Sequence, residues 1–111
     1  MTVTPAIRLL VVTDDSLFGD YTAAAVDRYP DMSVVCVSTL SAAQSRITDH
    51  SVDCIVLDTD LSRHGIRQLH RLLRSERPQL PVVVAASRPR TELYDGISYH
   101  AFVQKHGPAM G

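Results

Sequence analysis

Five apolar runs recur along the chain at similar intervals: Ile7 to Val12, Ser33 to Val37, Cys54 to Leu57, Leu80 to Ala86, and a short last one at Ala101-Phe102-Val103. They do not alternate apolar with polar residues, so each predicts a strand buried on both faces, as in a parallel sheet covered by helices. The segments between the first four carry helical periodicity and are long enough for right-handed crossovers. The pattern reads β-α-β-α-β-α-β, then a shorter link, then β. With 111 residues the chain can build one hydrophobic core, so residues 1–111 are expected to form a single domain.

Composition narrows the function. Hydrophobic residues make up 45% and charged residues 21%, which sets a disordered chain aside. Eleven basic residues against twelve acidic ones give a net charge of -1, with no general attraction for nucleic acid. The chain opens on no basic-then-apolar leader, and no apolar stretch approaches the roughly 20 residues that cross a bilayer. A cytoplasmic protein that contacts neither membrane nor nucleic acid is expected. Cys36 and Cys54 lie inside apolar runs and are expected to be buried, reduced thiols. Ten of the eleven basic residues are arginine, and Lys105 is the only lysine.

The first helix is predicted from Ser16, as N-cap, to before Pro30, with Phe18, Tyr21, Ala25 and Val26 on its inward face. The second runs from about Leu40 to Thr48 with Ala43 and Ile47 buried, and His50 and Ser51 end it. The third spans about Gly65 to Arg77. Ile66, Leu69 and Leu73 share its inner face, His70 falls at the core's rim, and Arg63, Arg67, Arg71 and Arg74 form a neighbouring basic stripe. Between Ser87 and Tyr99, Pro89 and Gly96 leave room for only a short fourth helix. After Val103 only Gln104 to Gly111 remain, so a fifth helix is expected to be absent.

In a doubly wound sheet the chemistry gathers beyond the carboxyl ends of the strands, where strand order reverses. The first strand runs into Thr13-Asp14-Asp15 and the third into Asp58-Thr59-Asp60. In the order 2-1-3-4-5 those strands are neighbours, and their carboxylates converge. Clustered carboxylates repel, and a hard divalent cation is the natural counter-ion, so a Mg²⁺ site is predicted. Lys105 follows the last strand on the same edge. A carboxylate, a metal and a lysine suit phosphoryl transfer onto aspartate, with Asp58 as the best nucleophile.

Four pieces, Leu9-Leu10-Val11-Val12-Thr13-Asp14-Asp15-Ser16, Asp53-Cys54-Ile55-Val56-Leu57-Asp58-Thr59-Asp60-Leu61, Leu80-Pro81-Val82-Val83-Val84 and Phe102-Val103-Gln104-Lys105, occur in the order and spacing of one family. The chain resembles the receiver domains of two-component response regulators, from about Arg8 to Gly107. The resemblance implies an α/β, flavodoxin-like, doubly wound sheet. It implies that Asp58 accepts phosphate from a histidine kinase or phosphotransfer protein and that Lys105 contacts the phosphoryl group. It further implies Mg²⁺ held by Asp14, Asp58 and the Asp60 backbone carbonyl, with Asp15 as the alternative if the first strand ends one residue later. Ala86, Ser87 and Phe102 fall at the switch positions.

The chain departs from that pattern at several places. Thr13 takes the first acidic position, Ala86 the place of the hydroxyl that ends the fourth strand, Ser62 that of a loop proline, and His106 that of the proline after the lysine. These departures support a second reading, a pseudo-receiver that docks a partner without phosphorylation. On either reading the chain is not expected to be an enzyme beyond autophosphorylation and autodephosphorylation at Asp58. The lost fifth helix points to a receiver cut short and belonging to a longer protein with sensor or output domains, and the apolar surface it leaves is expected to drive self-association. Asp58-Thr59-Asp60-Leu61-Ser62 also mimics the nucleophile loop of haloacid-dehalogenase phosphatases, but the 53 residues that follow Asp58 are too few for that enzyme. His50, His64, His70, His100 and His106 show no metal-ligand spacing.

Overall fold

The computed structural model describes residues 7–49, 51–60, 63–87 and 100–105. Its elements are β1 (Ile7–Val12), α1 (Ser16–Val26), β2 (Met32–Val37), α2 (Leu40–Thr48), β3 (Cys54–Asp58), α3 (Arg63–Glu76), β4 (Val82–Ala86) and β5 (Ala101–Gln104). The five strands form one sheet in the order β2-β1-β3-β4-β5, all neighbours parallel. The predicted short fourth helix between Ser87 and Tyr99, the end of the chain after Lys105, and His50 and His106 lie outside the described residues.

The two faces of the sheet are covered differently. On one, Leu10, Val12, Ile55, Leu57, Val82 and Val84 pack against Ala43 and Ile47 of α2 and Ile66, Leu69 and Leu73 of α3. On the other, Val11, Val56 and Ala85 pack against Phe18 of α1. Neighbouring strand residues therefore serve opposite layers, which is why the central strands need unbroken apolar runs. At the start of α3, Gly65 lets that helix approach Leu40 of α2 so closely that a β-carbon would displace the leucine side chain.

The edges of the sheet are wetter than the apolar runs predict. β2 has only β1 beside it, and its residues are half-buried or exposed. Cys36 is consequently an exposed free thiol, not a buried one, and Cys54 is half-buried at the start of β3. On α1 the buried residues are Phe18, Gly19 and Val26, whereas Tyr21 is 77% exposed and Ala25 is also exposed. The inward row of that helix runs through Phe18, Thr22 and Val26, four apart, so positions 21 and 25 fall to its solvent side. Its N-cap is Asp15, whose side chain accepts the Phe18 N–H, one residue before the predicted cap. In α3, Arg67, Arg71 and Arg74 are exposed as the basic stripe predicts, and His70 lies at the margin of the core.

The α3 layer carries the larger core, so truncation there is costly. Leu69→Ala, at a position with no exposed surface, is expected to lower unfolding free energy by about 3 kcal/mol in urea titration.

Candidate functional site

Strand register builds the site. Val12 pairs with Leu57, so Thr13, one step further along, stands beside Asp58. Asp58 pairs with Ala85, and Ala86 with Gln104, which brings Lys105 to the same edge. Backbone bonds carry the ladder past the strand ends: Thr13 N–H donates to Val37 at 2.9 Å, Thr59 N–H to Ala85 at 2.8 Å and Lys105 N–H to Ala86 at 2.9 Å. The chemistry-bearing residues therefore sit on backbone that the sheet holds rigid.

Asp58 has no exposed surface. Its Oδ2 accepts from the Thr13 hydroxyl at 2.5 Å and from Lys105 Nζ at 2.9 Å, and its Oδ1 accepts the Asp60 N–H at 2.9 Å. Lys105, with a side chain 5% exposed, also reaches Asp15 Oδ2 and Asp60 Oδ2, each at 3.1 Å. One ammonium thus stands among three carboxylates, 5.7 Å above the centre of the Phe18 ring. An ionised carboxylate loses much solvation free energy on burial, and these charge-assisted donors offset that loss.

Ionisation follows from the same contacts. Burial alone would pull the Lys105 ammonium down, but its hydrogen bonds to Asp58, Asp15 and Asp60 outweigh that and hold it above the ordinary lysine range. Burial pushes Asp60 upward, yet the donors from Lys105 and Ser87 prevail and keep its carboxyl below the usual range. One of those donors is the Ser87 N–H, 3.1 Å from Asp60 Oδ2.

The residues predicted from sequence are not all gathered. Asp58, Lys105, Asp60 and the alternative residue Asp15 meet, whereas Asp14 is exposed and lines a depression of about 260 Å³ with Asp20, Cys36 and Ser38. Thr13 bonds Asp58 and Asp15 bonds the Lys105 ammonium, whereas Asp14, between them, is exposed, as the two-residue alternation of a strand continued past β1 would have it. Asp15 serves at once as helix cap through Oδ1 and as ion-pair partner through Oδ2. Ala86 is buried at the end of β4, Ser87 is exposed beyond it, and Phe102 is half-buried against the α2–α3 core. Sequence reasoning treated Thr13 as a missing acid and overlooked its hydroxyl as a donor to Asp58; the Val12–Leu57 register was the signal that places it. Among the described residues, no three His, Cys, Asp or Glu side chains surround a common point closely enough to hold a metal ion unaided.

No sequence family matches this chain, and no curated protein does. Solved structures do. The N-terminal domain of a response regulator/sensory box/GGDEF three-domain protein from Carboxydothermus hydrogenoformans is 19% identical, with a TM-score of 0.76 over 90% of this chain and 82% of that one. The non-phosphorylated HemR receiver domain from Leptospira biflexa is 22% identical, with a TM-score of 0.73 over 89% and 82%. This chain has the receiver-domain fold. A further receiver-fold match, at 18% identity and a TM-score of 0.71 over 97% of this chain and 88% of that one, is the structure of the CheA3 P1 domain in complex with CheY6 from R. sphaeroides. Among the described residues of the receiver fold seen here, no helix is long and apolar enough to cross a membrane.

Two predictions follow the charge cluster. Asp60, held low in the folded state, contributes stability that is complete above about pH 4, the ordinary carboxylate value, and is lost as pH falls through its lowered one. Lys105, held high, contributes below about pH 10.4 and loses it only as pH rises through its raised value. Melting temperature against pH should therefore show an acid limb that Lys105→Met flattens. At pH 7 the same substitution, which leaves buried Asp58 without its cation, should lower unfolding free energy by about 3 kcal/mol in urea titration.

Proposed function

We propose that this receiver-fold chain is a phosphoacceptor domain of two-component or phosphorelay signalling, taking a phosphoryl group on Asp58 from the phosphohistidine of a histidine kinase or phosphotransfer protein. The observation that carries this reading is the buried Asp58 carboxylate held at a strand end by the chain's only lysine, with Asp15 and Asp60 flanking that ammonium. An Asp58 oxygen attacks phosphorus as the donor's P–N bond breaks, and the imidazole leaves with the electron pair. Lys105 balances charge on the transferring oxygens. Replacing the single charge of the Asp58 carboxylate with a phosphoryl group of about -1.5 to -2 charge beside Asp15 and Asp60 draws Lys105 onto the phosphoryl group and away from those carboxylates.

The donor set is oxygen only, which suits a hard cation, and Mg²⁺ is content with one or two carboxylates and a shell of water. Asp58, Asp15 and the Asp60 backbone carbonyl are the groups that would hold it, with Asp14 at the rim. Bound there, the cation would supply further neutralisation of phosphoryl oxygens. The pairing of a P1 domain with a receiver-fold chain in one structural neighbour supports a phosphotransfer domain as partner. The site acts as a signalling acceptor and not as a turnover enzyme, in the cytoplasm.

A second reading has its own observation. Thr13 closes Asp58 with a hydroxyl, and Ala86 presents no hydroxyl at the end of β4, an arrangement that also fits a pseudo-receiver docking a partner without phosphorylation. With Ala86 there, a route from Asp58 to the end of β4 that needs no hydroxyl runs through Asp60 and the Ser87 N–H.

Intact mass after incubation with acetyl phosphate and Mg²⁺ separates the two. The phosphoacceptor reading expects one phosphoryl adduct, absent in Asp58→Asn and without Mg²⁺, and a melting temperature raised by millimolar Mg²⁺. No adduct and no thermal shift would decide for the pseudo-receiver.

A further inference from the structure

The hydrogen bonds around Asp58 make its two oxygens chemically unequal, with Thr13 and Lys105 both donating to Oδ2. Thr13 is 5% exposed, and its hydroxyl oxygen accepts the Asp15 N–H at 3.0 Å. A hydroxyl has one proton, and with Asp15 donating to the oxygen that proton is directed at Asp58 Oδ2, 2.5 Å away. Lys105 donates to the same oxygen. Among the described residues, the donor to Oδ1 is the Asp60 N–H at 2.9 Å. Two donors on one oxygen and a third on the other fix the orientation of the carboxylate plane.

We propose that Thr13 is a positioning residue for Asp58, its hydroxyl holding Oδ2 and with it the orientation in which the carboxylate meets the phosphoryl donor. This rests on the reading of Asp58 as phosphoacceptor and goes beyond it in assigning the group that orients it. An ionised acid at position 13 would accept instead of donate and would set like charge against Oδ2. Valine would fill the same space and leave Oδ2 to Lys105 alone, loosening the hold on the carboxylate. With acetyl phosphate as donor, the Asp58 O–P bond forms as the acetyl C–O–P linkage breaks at phosphorus. Acetate leaves with the electron pair, and no proton has to move.

The test uses the full chain with Thr13→Ser, Thr13→Val and, should valine fail to fold, Thr13→Ala. Two quantities are followed: the rate of adduct formation from acetyl phosphate with Mg²⁺, and the carbon NMR signal of the Asp58 carboxyl, identified by its loss in Asp58→Asn. Thr13→Val is expected to slow the adduct about tenfold or more and to move the carboxyl signal, at a melting temperature that shows a folded protein. Thr13→Ser should restore the signal and bring the rate within about threefold of the parent. A parental rate in Thr13→Val overturns the assignment. If the parent itself forms no adduct, the phosphoacceptor reading falls, and the carboxyl signal alone decides: unmoved in Thr13→Val, it overturns the hold of Thr13 on Asp58 as well.

Discussion

A carboxylate with no exposed surface, at the end of the strand in the middle of the sheet, is the group around which this molecule is arranged. Left unpaired, a carboxylate so deeply buried would destabilise the fold around it. It is held instead by one ammonium, one hydroxyl and one backbone N–H, delivered from the ends of β5, β1 and the turn after β3. Each donor depends on strand register, so the sheet and the charge cluster specify one another. A one-residue slip of β1 against β3 would move Thr13 off Asp58 and exchange the two core faces at once.

The ammonium does more than neutralise Asp58. It also ties Asp15, the cap of α1, to Asp60, which takes the Ser87 N–H beyond β4. A helix start, a central strand and the exit of β4 are therefore joined through Nζ. A chemical change at Asp58 that redirects Lys105 would be felt at both Asp15 and Asp60. That gives the site a physical route from Asp58 to the exit of β4 even where Ala86 offers no hydroxyl.

Much of this was legible in the residues themselves. Unbroken apolar runs gave the strands, and the i, i+4 spacing of Ala43 and Ile47 gave the inner face of α2, where both side chains are fully buried. Ile66, Leu69 and Leu73 did the same for α3. Asp58 and Lys105 stood out by position and by rarity. The readings that failed concern exposure: Cys36 and Tyr21 look like core residues in the linear pattern, yet one lies on an edge strand and the other just off the inward row of α1. Periodicity reports which residues share a face and says little about how far the opposing layer extends over it.

The sequence by itself determined the parallel α/β architecture, because continuous apolar strands separated by amphipathic helices can bury their faces in few other ways. It also determined that acidic and cationic groups would lie at one edge, since those residues directly follow their strands. Which acids meet, only the tertiary structure decided. Asp14 and Asp15 are adjacent and chemically identical, and side-chain alternation beyond β1 turns one out to solvent and the other to Lys105. The partnership of Thr13 with Asp58 was likewise set by the pairing of Val12 with Leu57, a long-range register that fixes which side chains share a hydrogen bond and is not encoded at either position alone.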